Sequence, residues 1–253
     1  MRKILNILLW AVLVTGATSL FVFANEKQKT VVCPEFQINI QHGDAHRLIS
    51  EQYIRDRITD AGYRIRKQKL SDIRAAEIQQ LLNDDPFIRN ASLTIGVEGT
   101  VKANIEQRQP LVRVIPQTGE SFYIDMEGNT MPLSTEFPAR VMIASGRIPA
   151  LKQHGPALQH QALANIYVTA LAVKADAFTT ALTEQIYIDE SGEIQLVPKI
   201  GNHIIILGDT SGVKEKLGKL RIFYRQGIKN DAWKNYGLVN LRFRDQIVCT
   251  KTS

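Results

Sequence analysis

Residues 83–111 read NDDPFIRNASLTIGVEGTVKANIEQRQPL, and this stretch decides the fold. Ala91, Leu93, Ile95 and Val97 alternate with polar residues, and so do Val101, Ala103 and Ile105. Alternation at a period of two marks half-buried strands. Glu98-Gly99 between them predicts a two-residue turn, so the segment reads as a β-hairpin. On the N-terminal side, Asn83-Asp84-Asp85 runs into Pro86, which disfavours helix at the residue before it and ends whatever helix precedes.

Working backwards, a helix follows Ser71-Asp72, with Ile73, Ala76, Leu81 and Leu82 near one stripe and Ile78 beside it. Before that, Ser50 is placed to cap a helix reaching about Ala61, with Tyr53, Ile54 and Ile58 on one face. Gly62 stands where a left-handed C-terminal cap belongs. Phe36, Ile38 and Ile40 alternate and predict a first strand. The order is β-α-α-β-β over residues 35–107, enough chain for a small α+β domain.

Residues 108–250 read as a second domain, followed by a tail at 251–253. Phe122 to Asn129 is a strand entering a Gly-Asn turn, and Thr130 to Leu133 returns from it. Ile186 to Leu196 repeats the pattern. The shared Tyr-Ile-Asp, at 123–125 and 187–189, hints at duplication, but strand-to-turn chemistry favours these residues anyway. His203 to Leu207 is another apolar strand. A helix opened by Pro156 is expected to turn Leu158, Leu163, Ile166, Tyr167 and Ala170 inward. A second, Val213 to Arg225, buries Val213, Leu217, Leu220 and Phe223 or Tyr224 and carries Lys214, Lys216, Lys219 and Arg221 opposite. Two strands, Gly237–Phe243 and Gln246–Thr250, close the chain. The domain is therefore expected to be mixed, mostly antiparallel β with two helices.

The chain has 253 residues, 44% apolar and 22% charged, which excludes a collagen-like or broadly disordered protein. Its 31 basic and 25 acidic residues give +6, without the Lys/Arg blocks of a nucleic-acid arm. Two cysteines exclude a disulfide scaffold, and two free thiols are expected. Arg2 and Lys3 precede an uncharged run from Ile4 to Ala24. As a helix that run would be ~31 Å long, close to the ~30 Å hydrocarbon core of a bilayer. It reads as an uncleaved anchor with a short cytoplasmic tail at 1–3 and a linker at 25–34. A cleaved signal peptide ending at Val22-Phe23-Ala24 is the competing reading. Both put the rest of the chain across the membrane. Beyond Ala24 the net charge is 29 − 25 = +4: a solvated basic surface, or one weakly drawn to anionic lipid heads or acidic partners.

The order of the first domain resembles a POTRA domain, the polypeptide-transport-associated module. Asn83 to Leu93 looks like its "nP-aromatic-V-x-x-A-x-V" start of the hairpin, and Gln107 to Leu111 like its "E-R-x-P" exit. Gln107 departs from that pattern, standing where many members have an acid. Tyr123-Ile124-Asp125-x-x-Gly128-x-x-Met131-Pro132-Leu133 and the C-terminal Asn240-Leu241-Arg242-Phe243 and Gln246-Ile247-Val248 look like segments of the bacterial FtsQ/DivIB division family. The resemblance spans nearly the whole chain. It implies a non-enzymatic, single-pass protein of the inner membrane at the septum, with a periplasmic C-terminal part that binds the FtsB–FtsL coiled-coil pair. No cofactor is expected. The short tail puts in doubt any contact that a longer cytoplasmic tail makes in other members.

Chemistry elsewhere is sparse. His42 and His46 flank Gly43 in a predicted loop and lack the further ligands of a closed zinc site. Gly212 to Leu220 has five residues between its glycines and no Ser or Thr after Lys219, so it fails as a phosphate loop. Asp125 and Asp189 read as turn caps rather than as paired carboxylates. Trp233 and Tyr236 read as packing aromatics. They would bind sugar or peptide only if the chain were instead an envelope carbohydrate-binding module or hydrolase, the alternative function. A strand that ends a sheet offers unpaired N–H and C=O groups to another chain. Carried over by position, the family's strand-addition site falls on Arg242, Phe243, Arg244, Gln246, Ile247, Val248 and Cys249, with Arg221 and Arg225 as supports from the preceding helix. Proline at 248 is expected to remove a ladder donor there.

Overall fold

The structure, a computed structural model, describes residues 10, 12–19, 31–43, 47–96, 98–151, 153–227 and 235–251. Most of the expected membrane anchor, residues 4–24, lies outside the described residues, as does the linker up to residue 30. Residues 10 and 12–19 are helical, but no described helix is long and apolar enough to cross a membrane. Two compact units result, Met1–Gln41 with Ile49–Gln107 and His42–Leu48 with Arg108–Ser253.

The first unit comprises β1 (Phe36–Gln41), α1 (Glu51–Asp60), α2 (Ala75–Asn83), β2 (Ile88–Ile95) and β3 (Val101–Gln107). The sheet order is β1-β3-β2, with β1 parallel and β2 antiparallel to β3. The central strand buries Val101, Ala103, Ile105 and Gln107, as its alternation requires. The neutral Gln107 amide accepts from the Ile49 N–H, so the position is filled without burying a charge. Ser50 caps α1 by accepting from the Tyr53 N–H at 3.0 Å, and Gly62 has φ +84°, as expected.

Three details differ from the expected pattern. α2 starts at Ala75, after a 3-10 turn at Leu70–Asp72, so Ser71-Asp72 does not cap it. Its buried stripe is Ile78 and Leu82, while Ala76 faces out. Ile95 pairs with Val101, so five residues, not two, connect the hairpin, closed by Gly96 N–H to the Thr100 carbonyl at 2.8 Å.

Asp85 gives the NDDPF segment a second role. It is buried and accepts from the Tyr53 hydroxyl at 2.8 Å and the Phe87 N–H at 3.0 Å, with Arg57 at 3.4 Å. The outer edge of β2 is partly closed. Ala91 N–H donates to Asn83 Oδ1 at 2.7 Å and Leu93 N–H to Gln79 Oε1 at 3.4 Å, so α2 occupies donors that a passing strand would otherwise use.

The second unit is one nine-stranded sheet. Its strands are β4 (Pro110–Val114), β5 (Phe122–Asp125), β6 (Thr130–Pro132), β7 (Met142–Gly146), β8 (Thr183–Ile188), β9 (Ile194–Pro198), β10 (Ile204–Gly208), β11 (Tyr236–Asn240) and β12 (Val248–Lys251). They lie in the order β12-β11-β10-β9-β8-β7-β4-β5-β6. The β10–β11, β7–β8 and β4–β7 pairings are parallel and the other five antiparallel, so the sheet is mixed and mostly antiparallel.

Among the described residues three helices, not two, accompany it: α3 (Gln161–Lys174), α4 (Ala177–Leu182) and α5 (Val213–Gly227). Pro156 is extended and opens only a 3-10 turn, so α3 starts later and Leu158 stays 61% exposed. α4 is capped by Asp176, whose Oδ1 accepts from Phe178 and Thr179 N–H. The two Tyr-Ile-Asp segments share one turn. Asp125 Oδ1 accepts from Glu127 and Asn129 N–H, and Asp189 Oδ1 from Ser191 and Glu193 N–H. Both aspartates are turn caps.

Candidate functional site at the sheet edge

The site is built from the end of the chain backwards. β12 ends the sheet and pairs antiparallel with β11: Leu238 opposite Thr250, Val239 opposite Cys249, Asn240 opposite Val248. Backbone direction follows from one bond. Leu241 N–H donates to the Ile206 carbonyl at 2.9 Å, so on β11 Val239 and Leu241 turn their backbone groups to β10. Leu238 and Asn240 then face β12, by strand alternation. Their partners Val248 and Thr250 turn inward, and Cys249 presents its N–H and C=O outward. A proline at 248 would therefore break the β11–β12 ladder itself. The donor available to an incoming strand is at Cys249.

Side chains alternate in the opposite sense. Cys249 packs against the core with Ile247 and Tyr236. Burial pushes the Cys249 thiol above its ordinary pKa, so it is a packing residue rather than a reactive thiolate. Val248 is 40% exposed and pairs with Asn240, while half-buried Leu238 pairs with Thr250 on one side and with Ile204, 42% exposed, on the other. The outer face of this corner thus sets Val248, Leu238 and Ile204 beside Asn240 and Thr250. The sequence reading included Val248 but missed Leu238 and Ile204. Only the pairing register reveals them, because they come from other strands.

Arg242, Phe243 and Gln246 lie on the exposed loop between β11 and β12, not on the strands where they were expected; Arg244 lies on the same loop, between the strands as expected, and Ile247 directly precedes β12. Both strands are shorter than their apolar patterns. The loop is fixed from below. Lys219 Nζ donates to the Phe243 carbonyl and, at 3.1 Å, to the Arg244 carbonyl. Arg242 donates to Glu193 at 2.7 Å and lies over Gly208, where a Cβ would come within 2.8 Å of its stem. Phe243 stays 44% exposed. A cleft of about 380 Å³ separates this loop from the start of α5, lined by Ser211, Gly212, Lys216, Lys219, Arg242 and Phe243.

The cations of α5 do not form the free face expected of them. Lys216 is buried and donates to Asp209 at 2.7 Å. With the Ser211 hydroxyl, it holds the Asp209 carboxyl down to about 2. Arg221 pairs with Asp176 at 2.7 Å and is engaged at the start of α4 rather than at β12. The Thr179 and Phe178 N–H groups and Arg221 hold the Asp176 carboxyl below its ordinary range. Arg225 is exposed in the last turn.

An aromatic chain seats α5 against the sheet: Phe178 to Tyr224, Tyr224 to Phe223 and Phe223 to Tyr236, with centroids 5.8, 5.6 and 6.0 Å apart. Tyr236 is thus a packing residue, and Trp233 lies outside the described residues. Buried His203 shares a hydrogen bond with the Tyr224 hydroxyl, and burial lowers its pKa. The neutral form is the one that folds. Stability is full above the ordinary histidine pKa of about 6.5 and falls as pH drops below it, because the unfolded chain takes up the proton first. His154, beside Phe122, is lowered by the same cause. Urea midpoints at pH 7.5 and 5.5 are expected to differ less in His203→Asn than in the wild type; equal differences would exclude the role of His203.

Both cysteines are free thiols. His46 lies outside the described residues, and among the described residues no His, Cys, Asp and Glu group is fit to hold a metal.

Residues 109–250, more than half the chain, match the family described as FtsQ/DivIB, C-terminal related. The chain belongs to the FtsQ/DivIB family. Its first unit matches as well: residues 31–106 correspond to a POTRA-like domain. The chain is also 28% identical over 187 residues to the cell division protein FtsQ of Rhodothermus marinus. That match covers 71% of this chain and 66% of the relative, just under two thirds of its length. In this FtsQ/DivIB chain the family's C-terminal match takes in β4 through β12, and so includes the edge described above.

Proposed function

We propose that this FtsQ/DivIB member is a non-enzymatic scaffold of the division machinery. Residues 4–24 anchor it in the inner membrane with its C-terminal part in the periplasm. The β12 edge takes a strand from an FtsB/FtsL-like coiled-coil partner, and the POTRA-like unit contributes recruitment to the septum. The observation that carries this reading is the outward backbone of Cys249 on an edge strand, with a face that exposes Val248 and Ile204 and half-buries Leu238 beside it. An incoming strand would satisfy the open backbone groups and cover that face at once. Phe243 and Arg244 flank the edge on a loop already held by Lys219. Arg244 forms no ion pair among the described residues, which leaves its guanidinium for a partner carboxylate. The anchor confines scaffold and partner to one surface and raises their effective concentration.

Depletion of the chain in its own host, with a functional fluorescent fusion as readout, tests the role. A mid-cell band together with filamentation on depletion is the expected outcome. Uniform envelope signal with normal division would overturn it.

A further inference from the structure

Residues 61–71, AGYRIRKQKLS, carry four cations and no acid. Arg64, Arg66, Lys67 and Lys69 are all exposed, and none forms an ion pair among the described residues. Their neighbours differ: Arg55, Arg57 and Arg74 are paired with Glu51, Asp85 and Glu77. The segment is held in place by its backbone. Ile65 is buried between Arg64 and Arg66 and turns both outward. Lys67 has φ +63°, the one positive φ outside glycine among the described residues, a conformation that residues bearing a Cβ adopt rarely. It is held there by its N–H to the carbonyl of buried Cys33 at 3.0 Å, and Cys33 N–H donates to the Gln68 carbonyl at 2.8 Å. Leu70 N–H reaches the Val31 carbonyl at 3.0 Å. Beside the segment, a groove of about 250 Å³ combines an apolar floor of Phe36, Ile58 and Ile65 with the guanidinium groups of Arg64 and Arg66.

We propose that the Arg64–Lys69 segment is a docking surface for the anionic phospholipid headgroups of the bilayer that holds the chain. The proposal rests on the anchored reading above. Val31 and Cys33, onto which the segment is locked, follow the end of the apolar run at Ala24 by seven and nine residues. Even fully extended, that linker keeps the segment within roughly 30 Å of the membrane end of the span. An unpaired basic cluster so tethered meets a surface of anionic phosphates at high effective concentration, where each Lys or Arg near the surface strengthens attachment about fivefold. The groove fits the same partner: cationic rim for phosphate, apolar floor for the glycerol and first methylenes. Docking would restrict the tumbling of the first unit on its linker.

The test uses the full chain with Cys249→Ala and a donor dye on Gln68→Cys, in nanodiscs carrying an acceptor on the lipid headgroups. Energy transfer is expected to show about a tenfold larger membrane-proximal population in discs with about one third anionic lipid than in zwitterionic discs. That gain should shrink as salt rises from about 50 to about 500 mM. It should vanish when Arg64, Arg66, Lys67 and Lys69 are changed together to Ser. Lys67→Gly, which relieves the left-handed position and removes one charge, should reduce it only in part and guards against misfolding of the fourfold variant. Incorporation into discs with equal transfer in both lipids would overturn the proposal alone. Transfer that rises only on adding an acidic partner protein would also overturn it, in favour of a protein ligand. Failure of the chain to enter the disc would overturn the anchored reading and this proposal with it.

Discussion

Cys249→Pro is expected to weaken capture of the proposed FtsB/FtsL-like partner by about ten- to a hundredfold, while Cys249→Ala leaves it nearly unchanged. The pair of variants separates backbone from side chain. Alanine removes the thiol, which packs inward and is not offered to a partner, and keeps the N–H. Proline removes the N–H and places its ring where the incoming carbonyl would sit, and leaving that carbonyl desolvated without a donor costs ~1–3 kcal/mol. At 1.4 kcal/mol per factor of ten, that is about one to two orders of magnitude in Kd. The register makes 249 the informative position, because the backbone of Val248 is already used by β11. Titration of the purified full chain with the coiled-coil pair checks this. Equal weakening by both variants would mean that the partner reads the side chain or the fold, not the edge.

Asp125→Ala is expected to lower the melting temperature of the second unit by roughly 10 °C. Asp125 is fully buried, receives the Arg108 guanidinium at 2.9 Å and caps its turn through two N–H groups, at 3.0 and 2.7 Å. Arg108 is itself partly exposed, so the loss is that of three hydrogen bonds to a buried carboxylate, one of them from a guanidinium, together ~3–5 kcal/mol. In a unit of this size each kcal/mol moves the midpoint by roughly 2–4 °C. Asp189→Ala is the internal comparison. It has the same turn geometry, half-buried and with no cation on it, and should cost only ~1 kcal/mol. Asp125 sits on β5, seven places from β12 in the sheet order, so the folded fraction of the variant should still bind partner. Equal losses in the two variants would remove the Arg108 pair from the account.

The residues announce some of this and conceal the rest for identifiable reasons. The hairpin of β2 and β3 is legible because one face is buried and one wet, which imposes alternation. β4 and β7 are not. Pro110, Leu111, Val112 and Val114 are all buried, so β4 shows no alternation, and Met142–Gly146 is short, with only Ala144 fully buried and the rest half-buried. α4 has only six residues, and its one signal, Asp176, also reads as a loop residue. At the site, the apolar Ile247-Val248-Cys249 run was visible. Which of its backbone groups point outward was not, since that depends on the β10–β11 register. Lys216 and Lys219 looked like a solvated helix face, because their acceptors, Asp209 and the Phe243 and Arg244 carbonyls, lie on other segments. Arg242, Phe243 and Gln246 looked like strand, because periodicity does not show where a ladder stops.

The most direct measurement is residue-level amide exchange over 247–251 in the full chain, with and without saturating FtsB/FtsL-like pair. A strand added at β12 predicts selective slowing of the outward Cys249 amide by about a hundredfold. Val248 and Thr250, already bonded to β11, should change far less. A complex that forms while the Cys249 amide exchanges at its free rate would contradict the account.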